Sequence, residues 1–508
     1  MVESKLYQQN PIQDQLKPPL STDLTAPSSF LESTANFPSS SEESPSREEW
    51  VFRDNRSLIH SNHELGSSVH SIVFQKAKDS YYWDVNNVQY LDMIGGLHTC
   101  HIGHGREEMA QVAYNQMKTM EFAPNIYNYS HSSAIKCAEK LVSITKHEYP
   151  SMERVYFTSG GSEAVEASIH LAERYWSLLN NSQTKKKIIS FRNCYHGSTF
   201  VSSSLNEQVG KDEYGYQNLK GPTDRFSKDS IFLSIDFPHD FIVNSFQKHT
   251  QHANNGFFIA EQLENLIKLE GPENIAAFIA EPIQGVNGAL EPHKDFFPLA
   301  RRICDKYGVL LIADEVMTGF GKTGKWFGLS HYGIEPDIVV FGKGVTSGYL
   351  PLGGMMLARH LCQVLFKANI EHPFLHEFTF SGHPVCCEIV MKNLEIMFDE
   401  NLVQRAAVMG TQLKSTLVQR LQGIPHFKEV SGMGFMLGLI FDEHVSAKRI
   451  HEELATCYHI LVDYSRQNDR VVLITPPFNI HERDLNIFVD SIEQCVRNIV
   501  NTQQSTYH

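Results

Sequence analysis

The 508-residue chain contains no apolar run approaching the ~18 consecutive residues that a membrane-crossing helix needs, so no such helix is expected. Its N-terminus has neither the apolar core of a secretory signal nor the Arg-rich, acid-poor character of a transit peptide. Its nine cysteines show no Cys-x-x-Cys spacing, and only Cys386-Cys387 are adjacent. An odd, scattered set argues against a complete disulfide framework and fits a reducing compartment, the cytoplasm. No long Lys/Arg stripe offsets the formal net charge of −14, so a polyanion is repelled on average and nucleic acid is not expected as a partner. The one short basic run, Lys185-Lys186-Lys187, reads as a solvated loop before a buried strand. No internal repeat is visible.

What is present is an ordinary globular composition, 42% hydrophobic and 20% charged, in a chain long enough for more than one packed unit. Residues 1–47 are rich in Ser, Pro, Gln and Glu, cannot bury enough apolar surface to offset ordering entropy, and read as a disordered tail. Between 71 and 92, short β-rich stretches around the turn-like Asn86-Asn87 imply a small antiparallel element. Met109, Val112, Ala113 and Met117 then recur at helical spacing. After Glu153 the pattern becomes short apolar strands alternating with amphipathic helices. Val155-Tyr156-Phe157, Ile188-Ile189-Ser190-Phe191, Ala276-Ala277-Phe278-Ile279-Ala280, Val309-Leu310-Leu311-Ile312-Ala313 and Ile338-Val339-Val340-Phe341 are largely continuous runs, as in strands covered on both faces. An α/β fold with a mainly parallel central sheet follows, in a large domain over 116–375. The flanking segments, 48–115 and 376–508, are expected to form a smaller α+β domain, with strands near Phe435 to Ile440 and Val471 to Ile474 and a closing helix from Asp484.

Four features lie at strand ends of the α/β region, where ligands of open sheets collect. Gly160-Gly161-Ser162-Glu163-Ala164 follows a strand and opens a helix whose Ala164, Ala167, Ser168 and Leu171 can face the sheet. Such a helix start can take a phosphate, or Ser162 can be an ordinary N-cap. Asp314-Glu315 ends an apolar strand. A carboxylate there needs a cationic partner, which a protonated pyridine nitrogen supplies, although a metal ligand or a helix cap is an alternative. No His or Cys stands beside it at metal-ligand spacing, and no metal is expected. Lys343, between Gly342 and Gly344 just past a strand, can be desolvated and freed for nucleophilic chemistry, or can be a surface lysine. Tyr195, before His196-Gly197, can lay its ring on a planar ligand or simply pack. Gly319-Phe320-Gly321-Lys322-Thr323-Gly324 contains Gly-Lys-Thr, but a phosphate-binding P-loop requires glycine where Val316 stands.

Taken together, the order Gly-Gly-Ser-Glu-Ala, Tyr-His-Gly, Glu281-Pro282-Ile283-Gln284-Gly285, Asp314-Glu315-Val316, Lys343 and His376-Glu377-Phe378-Thr379-Phe380-Ser381-Gly382 resembles the class III aminotransferases of fold type I, over a span from about Trp50 to the C-terminus. The resemblance implies a pyridoxal 5′-phosphate enzyme that moves an amino group from an amine or ω-amino acid to a 2-oxo acid. It gives Lys343 the Schiff base and the proton transfers, Asp314 the pyridine nitrogen, Tyr195 ring stacking and Val316 the opposite ring face. Gly161 and Ser162 hold the phosphate, Glu281 joins the cofactor-binding set, and Thr379 reaches the phosphate of a neighbouring subunit, so a homodimer with shared sites is implied. An aminomutase, racemase or decarboxylase would use the same residues, and an inactive scaffold would need none of them.

The departures from the family bear on substrate. Gly160 stands where many members have Ser, and Met317 where many have Gln. Val286 and Leu473 replace the Glu and Arg of the ornithine type, Val286 also the Glu of the 4-aminobutyrate type, which disfavours those two donors. Arg466, upstream of Pro476-Pro477, matches the carboxylate-binding Arg of the ω-amino acid:pyruvate enzymes, with Arg470 nearby. Leu97 and His98 match their cleft-lining segment, His98 replacing an aromatic.

Overall fold

A computed structural model describes residues 45–61, 71–180, 185–206, 231–237, 255–367, 374–465 and 469–506. The described chain divides into two compact units, one ending at Val73 and one beginning at Phe74. Most of the expected tail, and Arg466 with its two successors, lie outside the described residues. The first unit contains the helix Arg47–Ser57, where the Ser46 side chain accepts a hydrogen bond from Glu49 N and two acids occupy the first turn.

The second unit opens with three antiparallel strands, β1 (Phe74–Lys78), β2 (Tyr81–Asp84) and β3 (Gln89–Asp92). The β2–β3 turn runs through Asn86-Asn87 as expected. Asp84 Oδ1 accepts from Asn86 N and Val88 N, both at 2.9 Å, and Asn87 adopts φ +60°.

The central sheet has seven strands: β4 (Met152–Thr158), β5 (Lys187–Phe191), β6 (Phe232–Ile235), β7 (Ile275–Ala280), β8 (Leu310–Asp314), β9 (Ile338–Phe341) and β10 (Gly353–Ala358), in the order β4-β10-β9-β8-β7-β5-β6. Strands β5 to β9 pair parallel, and β10 runs antiparallel between β4 and β9. Every residue of β7, β8 and β9 is buried, which is why these segments read as unbroken apolar runs. Their alternate side chains enter two cores: Ile279, Ile312 and Val340 meet Ala164, Ala167 and Leu171 of the helix Gly161–Asn180, while Phe278, Leu311 and Val339 share the opposite core with Phe296, Ala300 and Cys304 of the helix Phe296–Tyr307.

The C-terminal part carries β11 (Phe427–Met433), β12 (Met436–Phe441), β13 (Ile460–Leu461), β14 (Asp463–Tyr464) and β15 (Val471–Ile474). A second four-stranded sheet runs β11-β12-β15-β14, whereas β13 pairs parallel with β3 and completes the N-terminal sheet. Strand β12 begins one residue later than expected, because Phe435 N is used by Lys322 O at 2.9 Å, and the last helix starts at Glu482.

The Lys185 expectation is corrected: this lysine is buried, with Nζ donating to Ile275 O at 3.2 Å and to Gly308 O and lying 4.1 Å from the Trp176 ring centre. Its amine thus donates to a carbonyl at the start of β7 and to one in the turn before β8. All nine cysteines are unpaired, eight of them buried. Among the described residues no helix is long and apolar enough to cross a membrane.

Candidate active site

The carboxyl ends of β8 and β9 and the start of the helix after β4 converge at one edge of the central sheet. Asp314, the last residue of β8, lies beside Val340 of β9, two residues before the glycine that precedes Lys343. Lys343 adopts φ +44°, a left-handed conformation rare for a side-chain-bearing residue, and opens a short 3₁₀ turn. Close approach explains the glycines around it. A Cβ on Gly342 would stand 3.3 Å from Gly161 N, and one on Gly344 would overlap the His101 ring.

Burial pulls the Lys343 ammonium below its ordinary value, while Asp314, Glu281 and Asp463 pull it back up. Lysine and three carboxylates therefore share one electrostatic neighbourhood. Asp314 is 4% exposed; its Oδ2 pairs with His196 Nδ1 at 2.6 Å and its Oδ1 accepts from Val316 N at 3.1 Å. Burial disfavours a charged His196 ring, but the facing Cys194 thiol and Asp314 carboxylate carry it well above the usual imidazole value. His196 Nε2 has no hydrogen-bond partner among the described residues.

Glu281 follows β7. Its Oε1 accepts from Tyr195 N at 3.0 Å and its Oε2 from Gly285 N at 2.9 Å, so it fixes the backbone of the aromatic. Burial pushes its carboxyl up to about 7, resisted by His196 and the two backbone donors and reinforced by Asp314. Tyr195 leaves its ring partly exposed and shares a hydrogen bond between its hydroxyl and Ser198 Oγ at 2.8 Å. Ser198 N in turn donates to Ser162 Oγ at 3.1 Å.

The helix Gly161–Asn180 opens onto this edge. A Cβ on Gly161 would press on Val316 Cγ1 at 2.8 Å, whereas one on Gly160 would meet nothing within 4 Å. There is thus open space beside the unpaired N–H groups of the helix start, the arrangement that accepts an anion. A half-buried amine, a buried carboxylate at the neighbouring strand's end and an anion-accepting helix start fit a phosphate-bearing aromatic carbonyl cofactor.

The remaining expected residues are placed differently. Leu97 is exposed. His98, with φ +61°, is buried, bonding Thr475 Oγ1 through Nδ1 at 2.8 Å and Asp463 Oδ2 through Nε2 at 3.2 Å. Burial lowers its pKa, partly opposed by Asp463 and reinforced by Lys343, which ties it electrostatically to the site. Asp92 shapes this loop by accepting from Ile94, Gly95 and Gly96 N. Thr379 is exposed, in a segment tied to β4 by Tyr156, which donates to His376 O, and by Ser381, which donates to Phe157 O at 2.7 Å. Met317 and Leu473 fall in one apolar cluster with Ile283, Ala289 and Met436, a grouping that their separation in sequence hides. The Gly-Lys-Thr loop is packed, with Lys322 buried and Gly324 against Ala407.

Sequence reasoning gave no role to His196 or Asp463. His196 stood next to Tyr195 in a quoted motif and so was within reach. Asp463 carried no local signal, since its place depends on the pairing of β14 with β15.

An α/β sheet with these groups on its carboxyl edge gives the class of fold, and comparison with known proteins specifies the family. The aminotransferase class-III family matches residues 64–496. A putrescine–pyruvate aminotransferase of Pseudomonas aeruginosa is 34% identical, over 75% of this chain and 78% of its own. A probable mitochondrial gamma-aminobutyrate transaminase 3 of Oryza sativa is 32% identical, over 75% and 72%. The structure of an amine transaminase from an uncultivated Pseudomonas species, in its PLP-bound form, has a TM-score of 0.76 at 29% identity and covers 86% of this chain and 98% of its own. The chain belongs to the class III aminotransferases and is a pyridoxal-phosphate-dependent aminotransferase.

Proposed function

We propose that Lys343, Asp314 and Tyr195 are the catalytic residues of this transaminase, that Gly161, Ser162, Glu281 and Val316 hold the cofactor, and that Thr379 of a second copy completes its phosphate site. The observation that carries this reading is the half-buried Lys343, its pKa lowered by desolvation, in the same electrostatic neighbourhood as buried Asp314 and Glu281. When bound, pyridoxal phosphate supplies an aldehyde that condenses with amines and a ring that accepts an electron pair. Lys343 Nζ, its pKa lowered by burial, would bond that aldehyde and, when free, would take a proton from the donor's amine-bearing carbon. Asp314 keeps a proton on the ring nitrogen, and His196 holds that carboxylate in place. Ser162 Oγ and the helix-start N–H groups take the phosphate. The partly exposed Tyr195 ring would hold one face of the cofactor and Val316 the other.

The donor we favour is a terminal diamine, with pyruvate as acceptor. The naming of the Pseudomonas aeruginosa relative for putrescine and pyruvate supports the pairing. The Asp463 carboxylate, which meets His98 Nε2 at 3.2 Å near the expected cleft wall, supports a donor with a second ammonium group. Arg466 is kept for the acceptor's carboxylate, and Leu97 and His98 for the cleft wall. The apolar Met317–Leu473 cluster speaks against ornithine, while the rice relative makes 4-aminobutyrate the second donor to test.

A homodimer is supported by an apolar cavity of about 820 Å³ along edge strand β4, lined by Val142, Val155, Tyr156, Leu171 and Phe366. The β3–β13 pairing joins the strands of 74–115 to the segment 376–508, which supports a small domain drawing on both and a large domain at 116–375. Eight buried, unpaired thiols support residence in the cytoplasm.

The test is a panel of putrescine, ω-amino acids, 4-aminobutyrate and ornithine against pyruvate and 2-oxoglutarate. Putrescine with pyruvate should give the highest kcat/KM, and no turnover of any diamine overturns the donor reading. Borohydride treatment of the holoenzyme should fix the cofactor mass on the peptide containing Lys343; its appearance on any other lysine would overturn the site.

A further inference from the structure

Far along the chain from these residues, the open end of the β11–β12 hairpin gathers three side chains that transamination does not use. His426 immediately precedes β11 and Asp442 immediately follows β12; Phe427 pairs with Phe441, and Asp442 N donates to His426 O at 3.0 Å. His426 is fixed in the left-handed region at φ +71°. His444, two residues on, donates its N–H to Asp442 Oδ1 at 3.1 Å, and its ring centre lies 4.9 Å from that of His426.

One ligand atom from each of His426, Asp442 and His444 lies within 4.8 Å of the others. Donors around a tetrahedral zinc at about 2.0–2.1 Å stand about 3.3–3.5 Å apart, so modest side-chain rotation brings the three onto one ion. His444 is exposed, which leaves the fourth position open to water. Two imidazoles and one carboxylate suit zinc better than magnesium or calcium, which prefer all-oxygen shells. The carboxylate already attracts a cation: Lys428 Nζ sits 3.0 Å from Asp442 Oδ2 on a half-exposed side chain that can swing aside.

We propose that His426, Asp442 and His444 form a divalent-zinc site that ties the β11–β12 hairpin to the loop before the helix Ala447–Cys457, and that Lys428 occupies its cation position when zinc is absent. Sequence spacing conceals this site, because only the hairpin register brings His426 back to Asp442. The site adds a ligand to the protein without touching the amino-transfer residues. Lys428 gives the proposal a sign that a generic sticky surface would lack, since removing this cation should strengthen metal binding.

The test is calorimetric titration of the tag-free holoenzyme with zinc chloride, alongside H426A, H444A, D442N and K428M, each checked for an unchanged thermal unfolding midpoint without metal. The parent should take one zinc per chain at this site. Each ligand substitution should weaken it by about tenfold or more, and K428M should tighten it several-fold. Cobalt should give the visible absorption of imidazole-ligated metal in the parent and lose it in H426A. Equal zinc binding by the parent and by both histidine variants overturns the proposal, as does weaker binding by K428M. If H426A alone fails to fold, H444A and K428M decide.

Discussion

Asp314 and Glu315 are adjacent buried carboxylates, and Lys343 and Lys322 are lysines whose pKa burial lowers; in the reading proposed above only Asp314 and Lys343 belong to the amino-transfer site. Asp314 meets His196 and a single backbone N–H at the sheet edge. Glu315, the next residue, is enclosed by Gly328 N at 2.7 Å, Leu329 N at 2.8 Å, the Tyr149 hydroxyl at 3.2 Å and the Thr318 hydroxyl. Burial pushes the Glu315 carboxyl up to about 7 against those donors. Lys343 faces Asp314, Glu281 and Asp463. Lys322 has no hydrogen-bond partner for its Nζ among the described residues and lies 5.3 Å from the Phe478 ring centre. Burial lowers the pKa of both lysines, so burial alone does not make a functional amine. What distinguishes Lys343 is its position at the carboxyl edge of the sheet, beside groups that can still accept a ligand. The hydrogen-bonding capacity around Glu315 is already filled by the protein itself.

The sharpest test of this contrast is Lys343→Ala, which should lower turnover by about 10²–10⁴-fold or more and leave no borohydride-fixed cofactor on that peptide. Asp314→Asn should cost about 10²–10³-fold in kcat, measured at saturating cofactor, because an amide cannot hold the ring proton as a carboxylate does. Glu315→Gln should destabilise by about 1–3 kcal/mol in denaturant unfolding, while the folded fraction keeps its kcat. Were it to lose as much kcat as Asp314→Asn, the division between the two acids would fail.

The opposite sign belongs to Lys322→Met. Burial holds this amine at about 7 in the folded protein against 10.5 ordinarily, with Cys100 and Asp92 raising it and Lys343 lowering it further. A depressed folded pKa contributes stability above about 10.5 that is lost as pH falls toward 7. The methionine variant should therefore be the more stable protein near pH 7, by about 1–4 kcal/mol. That advantage should shrink as pH rises toward 10.5, with turnover retained. A loss of stability at pH 7 would mean that the Lys322 amine has a partner.

Much of the central sheet was legible because β7, β8 and β9 are covered on both faces and so must be apolar throughout. Strand β10 was missed: it starts Gly353-Gly354 and carries no β-branched residue, yet those glycines are required where it passes between β4 and β9. A Cβ on Gly353 would meet the Gly160 carbonyl carbon at 2.5 Å. Strand β11 was missed as well, its Lys428, Glu429, Ser431 and Gly432 masking the half that faces the core. Lys185 was misread because a charge run gives no indication of which of its members finds buried carbonyls.

By itself the sequence determined the order of the chemistry-bearing segments and their positions at strand ends. Asp314, Lys343, Ser162 and Tyr195 could be singled out because each follows a short apolar run, a signal contained within a few residues. Only the tertiary structure decided that Glu315 is enclosed by donors of the protein itself, that His196 is the partner of Asp314, that Asp463 joins Lys343 and His98, and that His426 meets Asp442 and His444. These are contacts between residues far apart in the chain. They depend on strand register and on the alternation of side chains across the sheet, and neither leaves a local mark in the sequence.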